Sequence, residues 1–296
     1  MYSKLTKTIL VCLLFCLFAC SEREERVTDP DERVPVSFAA GIRTRVMNTN
    51  WEYGDGIGIS MLKSGSMEIA AATFNRQYQA SGQGSLSTFL PQAPVETIYY
   101  PLDDSRVDFI AYYPFSKELK SLGNYQVSVA DQRNRKWIDL LVARAGNAGK
   151  DSPSVKLEFR HQLTSLEFNL KPGDVGRVED LAGAVLKIKN IPVAGNYDLT
   201  TEKIDLVQSG DVAVLMSTDG VKGQAIVLPR EAGSEVWFEI MLRNGISYSA
   251  YLSAESQWEQ ATWYTYTITL RKRPVPVDIS VSITDCTTGT EQGKLE

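Results

Sequence analysis

The sequence is poor in the residues that most catalytic and metal chemistry draws on. It holds a single histidine, His161, among 296 residues. A Ser-His-Asp arrangement would have to use it, and a metal centre built on several histidines is excluded. Cysteine is nearly as scarce. Cys12, Cys16 and Cys20 crowd the start of the chain, and Cys286 stands alone near its end. If the start is removed up to Cys20 and Cys20 itself is modified, no intramolecular disulfide is possible, and stability must come from packing. Cys286, in Thr284-Asp285-Cys286-Thr287, reads as a small apolar residue at a strand end rather than a nucleophile, which would need a basic partner. Charge of one sign is also lacking: the net value of −5 offers no basic face for nucleic acid. No repeat of short fixed period is present, which excludes a propeller or solenoid.

One long apolar run exists, and it lies at the beginning. Lys4 and Lys7 form a basic head, and residues 9–18 are apolar throughout. A membrane-spanning helix needs about 20 apolar residues, so this run suits the core of a cleaved export signal. It ends Leu17-Phe18-Ala19-Cys20, which resembles a lipobox: an apolar residue, a small residue at the cut, and a cysteine that accepts lipid. The expectation is a signal peptide over residues 1–19, a lipid anchor on Cys20 and a charged, flexible tether over residues 20–33.

Beyond the tether the chain reads as short strands. Val34, Val36, Phe38, Ala40 and Ile42 alternate on one face of residues 34–42. Residues 51–56 read as a turn, followed by strands at 57–61, 97–101, 107–114, 139–143 and 155–159. After His161 the pattern restarts at 165–170. Strands follow at 184–191, 223–229, 235–242, 247–252 and 263–270, the last being the longest, with a short hairpin over 196–206. Short strands at regular spacing with few helical windows indicate an all-β protein of two tandem β-sandwich domains, residues 34–162 and 163–285, the second including a terminal strand at 275–283.

Candidate sites are few. His161 lies where the pattern restarts, and is read as a structural residue at a strand end. Gly54-Asp55-Gly56-Ile57-Gly58 lacks the preceding strand and following helix of a nucleotide loop, and is read as a turn. Asp103-Asp104-Ser105 is read as a solvated loop, since calcium ligands at the needed spacing are absent. A pair of carboxylates for glycoside hydrolysis stays open, because such pairs are distant in sequence. Trp51, Trp258 and Trp263 are read first as core residues and second as a sugar-binding face. No catalytic residue, metal or cofactor is assigned.

Six segments, in order, carry a wider resemblance: Trp51–Ile59, Val107–Pro114, Asp139–Ala143, Phe159–Leu163, Gly195–Leu199 and Tyr264–Leu270. The chain resembles the fimbrillin-family lipoproteins of Bacteroides-type bacteria, from about residue 34 to 285. The resemblance implies two transthyretin-like sandwiches and a non-enzymatic role as a subunit, tip or anchor of type V surface fimbriae, with other fimbrial subunits and the outer membrane as partners. It further implies that a protease cuts after an arginine, here Arg43 or Arg45, removing the strand that bears Val34, Val36, Phe38, Ala40 and Ile42. A C-terminal strand of another subunit then fills the groove. The matching donor here is Val275, Val277, Ile279, Val281 and Ile283 at every second position. The alternative is a surface lipoprotein that binds glycans or a host protein without polymerising.

Overall fold

A computed structural model describes residues 33–43, 50–174, 176–271 and 278–285, and within them the chain is all-β. The first group of strands is β1 (Ser37–Ile42), β2 (Gly56–Lys63), β3 (Arg76–Ala80), β4 (Leu86–Pro91), β5 (Val107–Tyr113), β6 (Tyr125–Ser128), β7 (Leu141–Ala148) and β8 (Ser154–His161). The second group is β9 (Thr164–Lys171), β10 (Val185–Asp198), β11 (Lys203–Ala213), β12 (Leu215–Met216), β13 (Lys222–Val227), β14 (Trp237–Met241), β15 (Ser247–Tyr251), β16 (Thr262–Thr269) and β17 (Asp278–Asp285).

The first group closes into a barrel in the order β1-β4-β3-β2-β5-β7-β8. This differs from a sandwich of two separate sheets, because β1 pairs on both sides. It runs antiparallel to β4 and parallel to β8, and so joins the two ends of the ladder. The barrel interior is filled by Phe38, Trp51, Ile57, Phe89, Phe109 and Phe159, all at most 2% exposed.

The second group forms two sheets, β11-β10-β14-β15 and β12-β13-β9-β16-β17. They share one core. Phe238 of the first sheet packs edge-on against Phe168 of the second at 5.0 Å, and against Tyr266 at 5.0 Å. Alternation drives this: Leu166, Phe168 and Leu170 point inward from β9, while the residues between them are half-buried. β6 leaves the first group to pair with β10, carrying Tyr125 and Val127 into the second core. All three sheets belong to one compact unit, Val34–Glu296.

Several strand expectations need correction. Residues 97–101 form only a bridge, Pro35↔Tyr99, since Pro101 and the turn after it stop the ladder. The expected strand at 184–191 and the first arm of the hairpin after it are one 14-residue strand, β10, with register shifts near Ile191 and Ala194; the hairpin itself is present, with Asn196, Tyr197 and Asp198 facing Asp205, Ile204 and Lys203 of β11. β10, not the 8-residue β16, is therefore the longest strand. β3, β4 and β6 had no sequence counterpart. The inward set of β4 includes Ser87, which breaks the apolar alternation that would have marked it.

Two predictions follow from this packing. Phe168→Ala removes a ring held by Phe238 and Tyr266, and urea unfolding should show a loss of about 3–5 kcal/mol; a loss below 1 kcal/mol would contradict the shared core. Burial pushes the Tyr78, Tyr112 and Tyr266 phenols up to about 12, above the ordinary value near 10. A raised folded value means the native state holds its phenol protons more tightly than the unfolded chain. Stability should therefore be intact below about pH 10 and fall as pH rises from about 10 through about 12. A pH series of unfolding midpoints checks this.

Candidate functional site

The residues expected to form the displaced strand lie on and just before β1. Its alternation is borne out: Val36, Phe38 and Ala40 are buried, Val34 and Ile42 are half-buried, and Ser37 is exposed. Pro35 has no N–H to donate, and the hydrogen bonds around it are made by its neighbours: Val36 N–H donates to Ile98 O at 2.9 Å, and Tyr100 N–H to Val34 O at 3.0 Å. Further along, Phe38 lies opposite Phe89 of β4 and Val155 of β8. The last link is Arg43, whose N–H donates to Phe159 O at 2.8 Å while the residue itself is exposed.

Two central side chains are held in different ways. The Phe38 ring is met edge-on by Tyr78 at 5.1 Å and by Phe109 at 5.2 Å, so its pocket is shaped for an aromatic ring. Ala40 is fully buried, and its carbonyl accepts the indole N–H of Trp51 at 2.8 Å. Trp51 in turn packs edge-on against Phe89, Tyr113 and Phe159. It lies in the chain after both Arg43 and Arg45, bridged to Gly84. Trp51 thus ties β1 to β4, β5 and β8 without being part of β1.

A cleft of about 670 Å³ opens at this end of the barrel, lined by Ile42, Trp51, Glu52, Asp55, Tyr113 and Lys136 among others. Lys136 Nζ lies 2.6 Å from Asp55 and 2.7 Å from Glu52. The hydrogen bond from Lys136 holds the Glu52 carboxyl below its usual value. Burial works to lower the Lys136 ammonium, but its bonds to the two carboxylates outweigh that and raise it. Burial, helped by the charges of Asp55 and Asp139, raises the Tyr113 phenol. Lys136 and the two carboxylates form a structural ion-pair network with one cation between two anions.

His161 ends β8 with Nδ1 2.8 Å from Asp139 Oδ1. Beside it, Gln162 Oε1 accepts the Tyr197 hydroxyl at 2.7 Å and the Gln260 amide. Five of the six segments that sequence alone set in order are therefore joined in space by Trp51, Tyr113, Asp139, His161, Gln162 and Tyr197. The sixth holds Tyr266, whose hydroxyl accepts the Trp258 indole N–H at 2.8 Å.

Of the three tryptophans considered for a sugar face, Trp51 and Trp258 are 1% exposed and Trp263 is 6% exposed. They are core residues, so these three tryptophans form no sugar-binding face. Asp103 and Asp104 are exposed loop residues, as expected. At the other end of the chain, β17 pairs antiparallel with β16 at the sheet edge, Ile279 opposite Ile268 and Val281 opposite Tyr266. Cys20, Arg45, Val275, Val277 and Cys286 lie outside the described residues.

This architecture, a β-barrel closed by one N-terminal strand next to a two-sheet core, is matched among known proteins. Residues 44–285 match the family described as Fimbrillin-like, and the chain belongs to that family. A Bacteroides uniformis protein named "Putative fimbrium subunit Fim1C" is 35% identical over 232 residues, covering 75% of each chain. A crystal structure of a "putative cell adhesion protein" from Bacteroides uniformis is 29% identical, with a TM-score of 0.74 over 88% of this chain and 100% of its own. Another of the same description, from Bacteroides ovatus, shares the fold at 19% identity, with a TM-score of 0.68 over 87% of this chain and 99% of its own.

Removing the Trp51 indole should loosen β1 selectively. Trp51→Phe keeps a ring but removes the indole donor to the buried Ala40 carbonyl, and should cost about 0.5–1.5 kcal/mol. Hydrogen exchange should rise first at residues 38–42. Unchanged protection there would contradict the tie.

Proposed function

We propose that the chain is a non-enzymatic subunit of surface fimbriae, assembled by exchange of the strand that closes its barrel. The observation that carries this reading is the position of β1. It fills a slot between β4 and β8, contributes a ring and several smaller apolar side chains to the core, and ends at the exposed Arg43. A cut after Arg43 or Arg45 separates this strand from everything else in the body, while Trp51 stays behind. The vacated slot has an apolar floor and two unpaired edges, the setting in which an added strand gains main-chain hydrogen bonds and side-chain pockets.

The donor is the stripe at 275–283. Its described part, 278–283 of β17, pairs with β16 and lies at the sheet edge among the described residues, a position from which a strand can be lent. Export as a lipoprotein through Cys20, outer-membrane anchoring, and a body of two transthyretin-like domains (34–162 and 163–285) complete the reading. Family membership and the name of the Bacteroides uniformis relative support the fimbrial role.

One observation favours the non-polymerising, glycan-binding alternative. Trp237 and Tyr251 are register partners on β14 and β15, with ring centroids 5.9 Å apart and 27° between planes, and Tyr251 is 58% exposed. Such a platform can stack against a sugar ring. Loss of glycan binding in Trp237→Ala with fibres unaffected would support that activity.

Mass spectrometry of the mature N-terminus separates the readings. A start at Thr44 or Val46 in sheared fibres supports strand removal. A lipidated Cys20 start in every fraction contradicts it.

A further inference from the structure

Residues 34–42 read Val-Pro-Val-Ser-Phe-Ala-Ala-Gly-Ile, and residues 275–283 read Val-Pro-Val-Asp-Ile-Ser-Val-Ser-Ile. Both begin Val-Pro-Val, alternate apolar residues, and end in isoleucine. The shared proline fixes one register. Pro276 then falls on the place of Pro35, where the slot draws no N–H from the strand, because Val36 and the slot residue Tyr100 make the flanking bonds.

In that register the ends of the two strands match and the centre does not. Ile279 would occupy the pocket of Phe38, which Tyr78 and Phe109 close around an aromatic ring. A branched aliphatic chain there leaves part of the pocket empty. Val281 would occupy the place of Ala40, which is fully buried beside Trp51. Two added methyl groups would overpack this fully buried position. Ser282 would occupy the place of Gly41, where a Cβ stands 3.3 Å from Ser85 O, tighter than an ordinary contact. Shifting the strand by two residues places Ile279 or Ile283 at the alanine site, which is worse.

We infer that the slot is built for a donor from a different subunit, one with an aromatic residue two positions before an alanine or glycine, and that this subunit does not polymerise with its own kind. This inference rests on the strand-exchange reading. It adds a specificity rule to it: the Val-Pro-Val start sets the register, and the Phe38 and Ala40 pockets choose the partner. By the same rule the strand at 275–283 suits a neighbour whose two central pockets are both of branched-aliphatic size.

The test uses the folded chain, cut by limited arginine-specific proteolysis with its own strand still seated. It is challenged with three isotope-labelled peptides, and uptake is read by native mass spectrometry. The first is residues 34–42, the second is residues 275–283, and the third is the second carrying Ile279→Phe and Val281→Ala. The expected result is uptake of the first and third peptides, with the second weaker by about tenfold or more. Equal uptake of the second and third overturns the partner rule and leaves strand exchange standing. Failure of even the first peptide to exchange overturns both.

Discussion

The barrel depends on a strand that is paired on both sides. β1 is antiparallel to β4 and parallel to β8, and without it the ladder has two free edges and an open core. A sheet edge with its backbone groups unpaired next to exposed apolar side chains is prone to add any available strand. An empty slot would leave apolar surface beside unpaired strand edges, which is the physical basis of the proposal that another strand replaces β1 during assembly.

Trp51 sets the shape of that slot. Its indole reaches back to the Ala40 carbonyl, and its ring lies against three aromatic side chains of the surrounding strands. Because it follows the arginines in sequence, it belongs to the body under any cut at Arg43 or Arg45. Under the proposed exchange, Trp51 and its aromatic neighbours would remain as the pocket floor. The ion pairs of Lys136 with Asp55 and Glu52 close the rim next to it. Lys136 comes from the far side of the barrel's chain order, which ties the Trp51–Gly56 turn to the segment before β7.

Much of this was legible in the sequence, and for a physical reason. Val34, Val36, Phe38, Ala40 and Ile42 alternate because one face of the segment leading into and forming β1 turns to the core, fully at Val36, Phe38 and Ala40 and partly at its two ends. His161 read as a strand-end residue because nothing around it could form a catalytic set, and it pairs with Asp139. What escaped was non-local. β1's double pairing needs β4, whose inward Ser87 hides it. The indole bond from Trp51 to Ala40 joins residues that periodicity cannot connect. β10 runs on past Asn190 and Pro192 because shifts of register there keep the chain within one ladder, which alternation alone does not show. The Trp237–Tyr251 pair, half-buried Trp237 beside exposed Tyr251, is made by cross-strand register that no local pattern shows.

The central claim is that the slot between β4 and β8 changes its occupant during assembly. A cryo-electron microscopy map of a native fibre containing this subunit addresses it directly. The account predicts that residues 34–42 are gone and that the slot holds an extended strand from a neighbouring polypeptide, with Trp51 still donating to a carbonyl of that strand. A map in which residues 34–42 remain in place, in subunits joined by some other surface, would contradict it.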